Sequence, residues 1–194
     1  MARTRTAKQK RRPLRWAIII TLWTFLVAFI FALTMRFILQ GIQSIVFSFL
    51  LLLFIIFIGV LFDTIGTAVT AANETPFHSK ASKKVYGAQK GIYLVRYADQ
   101  VANFCNDMIG DISGVVSGVV GAIIIFNLVL IRPDLSEIYL SIVLTAIVAA
   151  LTVGGKALGK ALAISKPTEV VLLFAQVLTT IERFSLRKRR KKNN

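Results

Sequence analysis

Acidic residues are scarce in this 194-residue chain, nine against 24 Lys and Arg, and they are scattered along it. There is one histidine, His78, and one cysteine, Cys105. Those shortages exclude a zinc site of the usual His/Cys kind, a nucleophilic triad and an intramolecular disulfide. Cys105 reads most simply as a small buried apolar residue and says nothing about redox compartment. No enzyme activity and no resident cofactor are expected.

Charge of either sign is missing from four long runs. There are 20 uncharged residues between Arg15 and Arg36, 26 between Arg36 and Asp63, 20 between Asp111 and Arg132, and 18 between Glu137 and Lys156. At about 1.5 Å rise per residue, roughly 20 apolar residues cross a hydrocarbon core about 30 Å thick. The composition agrees, with 56% apolar and 17% charged residues and a mean hydropathy of +0.70. The expected fold is all-α, a polytopic integral membrane protein with four transmembrane helices and amphipathic juxtamembrane helices. The first run resembles a signal peptide in its basic start, but it is too long and ends at Thr34-Met35-Arg36-Phe37, which argues for an uncleaved anchor.

Seven basic residues lie in the first 15 positions, seven between Arg183 and Lys192, and five between Asp63 and Asp111. The two short loops opposite hold Arg36 and Arg132 alone. This asymmetry predicts a multi-pass protein with both termini in the cytoplasm, and the basic, short form of the chain points to the plasma (inner) membrane. The tail Arg187, Lys188, Arg189, Arg190, Lys191 and Lys192 resembles a nucleic-acid patch in isolation. Beside a membrane-proximal helix it fits anionic lipid headgroups better, at about 1 kcal/mol per charge. Lipid is therefore the expected partner, and nucleic acid is not.

The organisation expected is a basic N-terminus (1–15), an additional transmembrane helix (16–40), a membrane domain (41–185) and a basic tail (186–194). Within the domain, spans are expected near 42–62, 110–131 and 138–155. Between them, Leu94, Tyr97, Val101, Phe104, Cys105 and Met108 recur at helical spacing, with Arg96, Asp99, Gln100, Asn103, Asn106 and Asp107 on the other face. That predicts one amphipathic helix over about 84–108. The small and hydroxylated residues of 64–73 can continue helically from the second span, and Pro76 is expected to break the helix. A second juxtamembrane helix is expected over about 168–183, opened by Pro167, Thr168 and Glu169 and too short to span, lying on the membrane surface or against the first. Gly110, Gly114 and Gly118 recur every four residues, a small-residue spacing that suits close helix packing. Packing leaves Asp111 unexplained, because an ionisable group near the membrane edge needs a partner or a polar cavity.

The run Gly154-Gly155-Lys156-Ala157-Leu158-Gly159-Lys160-Ala161 comes close to a phosphate-binding loop. Ala161 removes the hydroxyl that would meet magnesium, and a membrane span, not a buried strand, precedes it.

Three polar segments carry a resemblance. Phe62 to Asn73, ending Thr67-Ala68-Val69-Thr70-Ala71-Ala72-Asn73, resembles the "FSGSETALTSLN" segment in the transmembrane domain of the CNNM/CorC magnesium transporters. Ile109-Gly110-Asp111-Ile112-Ser113 is similar to that family's "IGNNLVN". Gly155-Lys156-Ala157-Leu158-Gly159-Lys160-Ala161-Leu162-Ala163 and Lys166-Pro167-Thr168-Glu169 resemble "GEILPKTLAA" and "NPERIA". Order and approximate spacing match from the second span to Ile181. The resemblance implies a homodimeric domain of three spans, in which polar residues hold a dehydrated magnesium ion facing the cytoplasm. Here a further span precedes it, and the family's nucleotide-sensing CBS pair has no expected counterpart after Ser185.

The departures bear directly on the ion. The family's Ser-Gly-Ser-Glu becomes Asp63-Thr64-Ile65-Gly66, two of its asparagines fall at Ile112 and Val115, and its glutamate falls at Lys156. An ammonium about 5 Å from a divalent ion, at an effective ε near 20, repels it by about 6 kcal/mol. Two functional readings follow. In one, a cation path is rebuilt around Asp63, Thr67, Thr70, Asn73, Gly110, Asp111 and Ser113, with Asp111 and Ser113 the best metal ligands, Lys156 turned away, and magnesium or another divalent cation as cargo. In the other, Lys156 occupies the ion's place and pairs with Asp111, giving a transport-inactive scaffold or accessory subunit that binds another membrane protein.

Overall fold

Helix follows helix along this chain, and the computed structural model describes residues 7–40, 44–134 and 136–192, with side chains described from residue 18 to residue 184 apart from 20, 39–43 and 135. Among the described residues there is no strand. The first helix, α1 (Ala7–Gln40), carries the first apolar run. The next, α2 (Ile45–Ala71), opens at Ser44, whose hydroxyl accepts a hydrogen bond from the amide of Phe47 at 3.5 Å.

α2 runs on past residue 62, as the small and hydroxylated residues of 64–73 allow. Thr64, Thr67 and Thr70 donate their hydroxyls to the carbonyls of Val60, Asp63 and Thr67, at 2.7, 2.9 and 2.9 Å. Those polar side chains thereby satisfy themselves on their own helix, and it continues to Ala71. Pro76 then starts a helix and breaks none: the chain is already extended at Ala72, and Pro76 sits in the first turn of α3 (Thr75–Ser82). There its missing N–H costs no hydrogen bond.

The single amphipathic helix expected over 84–108 is divided. α4 (Ala88–Arg96) follows a turn in which Gly87 takes the left-handed conformation, with φ of 82°, and it ends at Tyr97. A short α5 (Ala98–Ala102) then runs into a π-helical segment, Asn103–Gly110, which passes directly into α6 (Asp111–Ile131). The wider i→i+5 turns rotate the faces away from simple helical spacing. Phe104, expected on the packed face, is exposed, and Asn106, expected on the polar face, turns against Gly66 of α2.

α7 (Glu137–Ser165) continues beyond the span expected to end near 155, and Lys166 alone separates it from α8 (Pro167–Lys192). The α7–α8 break falls at Lys166 and Pro167, as the sequence indicates. α8 lies against α4 and α2. Tyr86 meets Thr180 at 3.2 Å, the Gln176 amide donates to the Tyr86 carbonyl at 3.3 Å, and Lys90 pairs with Glu182. The side chains of Arg187, Lys188, Arg189, Arg190, Lys191 and Lys192 lie outside the described side chains, although the α8 backbone is helical to Lys192.

Four helical stretches, Thr21–Ile38, Ile45–Ala71, Ala98–Ile131 and Glu137–Ser165, are long and apolar enough to cross a membrane. The chain is an all-α protein with the form of a multi-pass membrane protein. Helices α2, α6 and α7 pack on one another, and α1 lies against α6. One apolar cluster joins Leu52, Ile55 and Ile56 of α2 to Ile112, Val116, Val120, Ile124 and Ile125 of α6 and Leu144 of α7. A second, at the other end of α2, joins Ile65, Ala68 and Val69 to Phe77, Leu94, Cys105, Ala163, Val171 and Ala175. The polar site lies between these clusters.

Candidate functional site

Three helices reach the site because glycines let them approach. Along α2, Gly59, Asp63 and Gly66 share one face. A Cβ on Gly59 would come within 2.8 Å of the Ser113 Cβ, and one on Gly66 within 2.1 Å of Asn106 Oδ1. Gly110 lies over Asp63, its Cβ position 3.8 Å from Asp63 Oδ1. The neighbouring face, Val60 and Thr64, meets α7, where a Cβ on Gly155 would fall 2.8 Å from Val60 Cγ2 and one on Gly159 2.0 Å from Thr64 Oγ1. The Gly-Lys-x-x-Gly-Lys run is thus an α-helical surface: its glycines admit α2, and its lysines reach past.

Asp63 is only 4% exposed. Its Oδ1 lies 3.9 Å from Lys156 Nζ and its Oδ2 lies 3.6 Å from Lys160 Nζ. Lys156 Nζ also donates to Asp111 Oδ1 at 3.4 Å. Two lysines one turn apart on a helix repel each other, and a carboxylate placed between them removes that cost. At an effective ε near 20, the Asp63 and Lys156 charges attract by about 4 kcal/mol before desolvation. The Asp111 pair contributes less, because that side chain is 71% exposed and screened by solvent. The Lys156 side chain is 20% exposed and that of Lys160 51%. Neither Asp63 Oδ2 nor Asn106 Oδ1, both buried, has a hydrogen-bond partner.

The other residues singled out by the sequence separate into two groups. Asp63, Gly110, Asp111, Ser113 and Lys156 assemble at the α2–α6–α7 junction. Ser113 packs on Gly59 and gives its hydroxyl proton to the Ile109 carbonyl at 2.7 Å. Thr67 and Thr70 spend their protons on α2 itself, Thr70 is exposed, and Asn73 is exposed beyond the end of the helix. Among the described residues, no three His, Cys, Asp or Glu side chains gather as metal ligands. Gly114 and Gly118, expected to pack helices together, have no described atom within 4 Å of a Cβ position, so the close approaches inside this chain fall instead on α2 and α7.

Sequence reasoning passed over Lys160 and Asn106 as site residues. The four-residue spacing of Lys156 and Lys160 was a usable signal for the first. Nothing in the spacing signals Asn106, whose direction depends on the π segment.

Comparison with protein-family profiles, with curated proteins and with solved structures returns no match. The chemistry of the site therefore rests on its own geometry. Two carboxylates and two ammonium groups form a charge-balanced cluster at the polar end of the spans.

A separate polar group lies on the surface between α3 and α4. Glu74 Oε2 accepts from Arg96 Nη2 at 3.2 Å and lies 3.3 Å from His78 Nε2. The Arg96 guanidinium first, then His78, holds the Glu74 carboxyl below its ordinary range, and Glu74 in turn raises Arg96.

Proposed function

We propose that this protein is a multi-pass plasma-membrane protein, termini in the cytoplasm, that takes part in divalent-cation transport as a non-transporting regulatory or accessory subunit. In this reading its own lysine fills the place of the ion. The observation that carries it is the position of Lys156 Nζ, within 4 Å of carboxylate oxygens from both Asp63 and Asp111. A hard divalent ion takes carboxylate and carbonyl oxygens as ligands and does not tolerate an ammonium among them. The CNNM/CorC resemblance supports the cation context and a homodimer. The basic tail supports attachment to anionic headgroups.

Transport itself is the second reading, favoured by the exposure of Asp111 and by the buried Asp63 Oδ2 that accepts no hydrogen bond. There the lysines swing aside as the ion enters. Purified protein in liposomes, assayed for magnesium flux, separates the two. The tethered-lysine reading expects no flux from the native chain and a gain with Lys156→Glu. Native flux that Asp111→Asn abolishes supports transport and overturns the accessory role. A correctly inserted Lys156→Glu protein without flux counts against a latent ion path altogether.

A further inference from the structure

Lys156 answers only half of the negative charge at this junction. We infer that Lys156 and Lys160 act together as a two-charge internal counter-ion, so that a divalent cation is admitted only when both units of their positive charge are gone or, as in Lys156→Glu, one is removed and the other is offset. The inference rests on the tethered-lysine reading and assigns its second member. The arithmetic follows from the ion pairs: Asp63 and Asp111 carry two negative charges, Lys156 and Lys160 two positive ones, and the sum is zero. Removing one lysine leaves a net charge of −1, suited to a monovalent cation. Removing both leaves −2, suited to a divalent one.

The geometry supports a shared role. The two oxygens of one buried carboxylate are divided between the lysines, Oδ1 to Lys156 and Oδ2 to Lys160, and Lys156 is shared with Asp111, so the two carboxylates and two ammonium groups form one connected cluster. Burial of a carboxylate without such compensation is strongly unfavourable. The two lysines also differ in how they can leave: Lys160 is half exposed, whereas Lys156 is held between Asp63 and Asp111. Lys160 is thus the outer of the pair and the first to move. Asp63 Oδ2 on α2 and Asn106 Oδ1 of the π segment, which lies against Gly66 on the Asp63 face of α2, have no hydrogen bonds and are oxygen donors of the kind a hard cation takes.

The test uses the full chain purified in detergent, with Lys156→Gln, Lys160→Gln and the double variant, titrated with Mg2+, Mn2+ and Na+. Unfolding temperature and titration calorimetry are the readouts. The native protein is expected to show no saturable shift with Mg2+. Each single variant should be raised by Na+ and not by Mg2+, and the double variant by Mg2+ and Mn2+, an effect lost when Asp63→Asn is added. If Lys156→Gln alone binds Mg2+ as tightly as the double variant, the paired role is wrong and the Lys156 reading stands. If the folded double variant binds no cation, both fall. Should the double variant unfold in cation-free buffer, recovery on purification with Mg2+ supports the inference. Failure to recover, while the Asp63→Asn triple variant folds, overturns it.

Discussion

The two apolar clusters use similar residues under different physics. Around Val120 and Ile124, helices α2, α6 and α7 meet in the part of the molecule suited to lipid, where a side chain released from its neighbours is still in an apolar medium. Around Phe77, Leu94 and Val171, the helices α3, α4 and α8, which lie outside the four apolar stretches, pack on the polar ends of α2 and α7 and on the π segment, and release there means exposure to water. Identical burial therefore stabilises the second cluster through transfer and packing, and the first through packing alone. The charged site lies at the boundary, where helices must fit closely and carboxylates can be compensated.

The largest expected difference comes from truncating one side chain in each cluster. Phe77, fully buried, should lose about 3–5 kcal/mol on substitution by alanine. Ile124→Ala, equally buried, should lose only the cavity part, about 1–2 kcal/mol. Reversible unfolding in mixed micelles measures both, and equal losses would remove the distinction.

Glycines sharpen the comparison on a smaller scale. Gly66→Ala drives a methyl into the Asn106 amide and should cost about 1–3 kcal/mol by overpacking. Gly114→Ala and Gly118→Ala meet open space within the chain and should change its stability by less than about 0.5 kcal/mol. A large loss at Gly114 or Gly118 would point to a neighbour from outside the chain, such as the proposed second copy.

The smallest effect is local and depends on pH. Because the folded carboxyl of Glu74 is held below its ordinary value of 4.5, its contribution is present above that value. It is lost as pH falls through the lower, folded value. Protection of the α3 and α4 amides, taken relative to their intrinsic exchange rates, should therefore fall at acid pH, and Glu74→Gln should remove that dependence.

Much of the architecture is legible in the residues. Charge-free runs give the four helices, since a backbone in lipid must satisfy its own hydrogen bonds. The Lys166-Pro167 pair gives the α7–α8 break. The faces of residues 94–110 were not legible, because a π turn breaks the periodicity on which such assignments depend. Asp63 was visible as a polar interruption, but its burial was not.

The order of charged and apolar residues by itself determined an all-helical chain with four candidate crossings, because length and hydropathy act locally along the backbone. Only the tertiary structure decided that Asp63 is enclosed, that Lys160 joins Lys156 beside it, and that Asn106 turns inward. Those outcomes depend on how closely α2, α6 and α7 approach at Gly59, Gly66, Gly155 and Gly159. Such approach is set by the fit of distant segments.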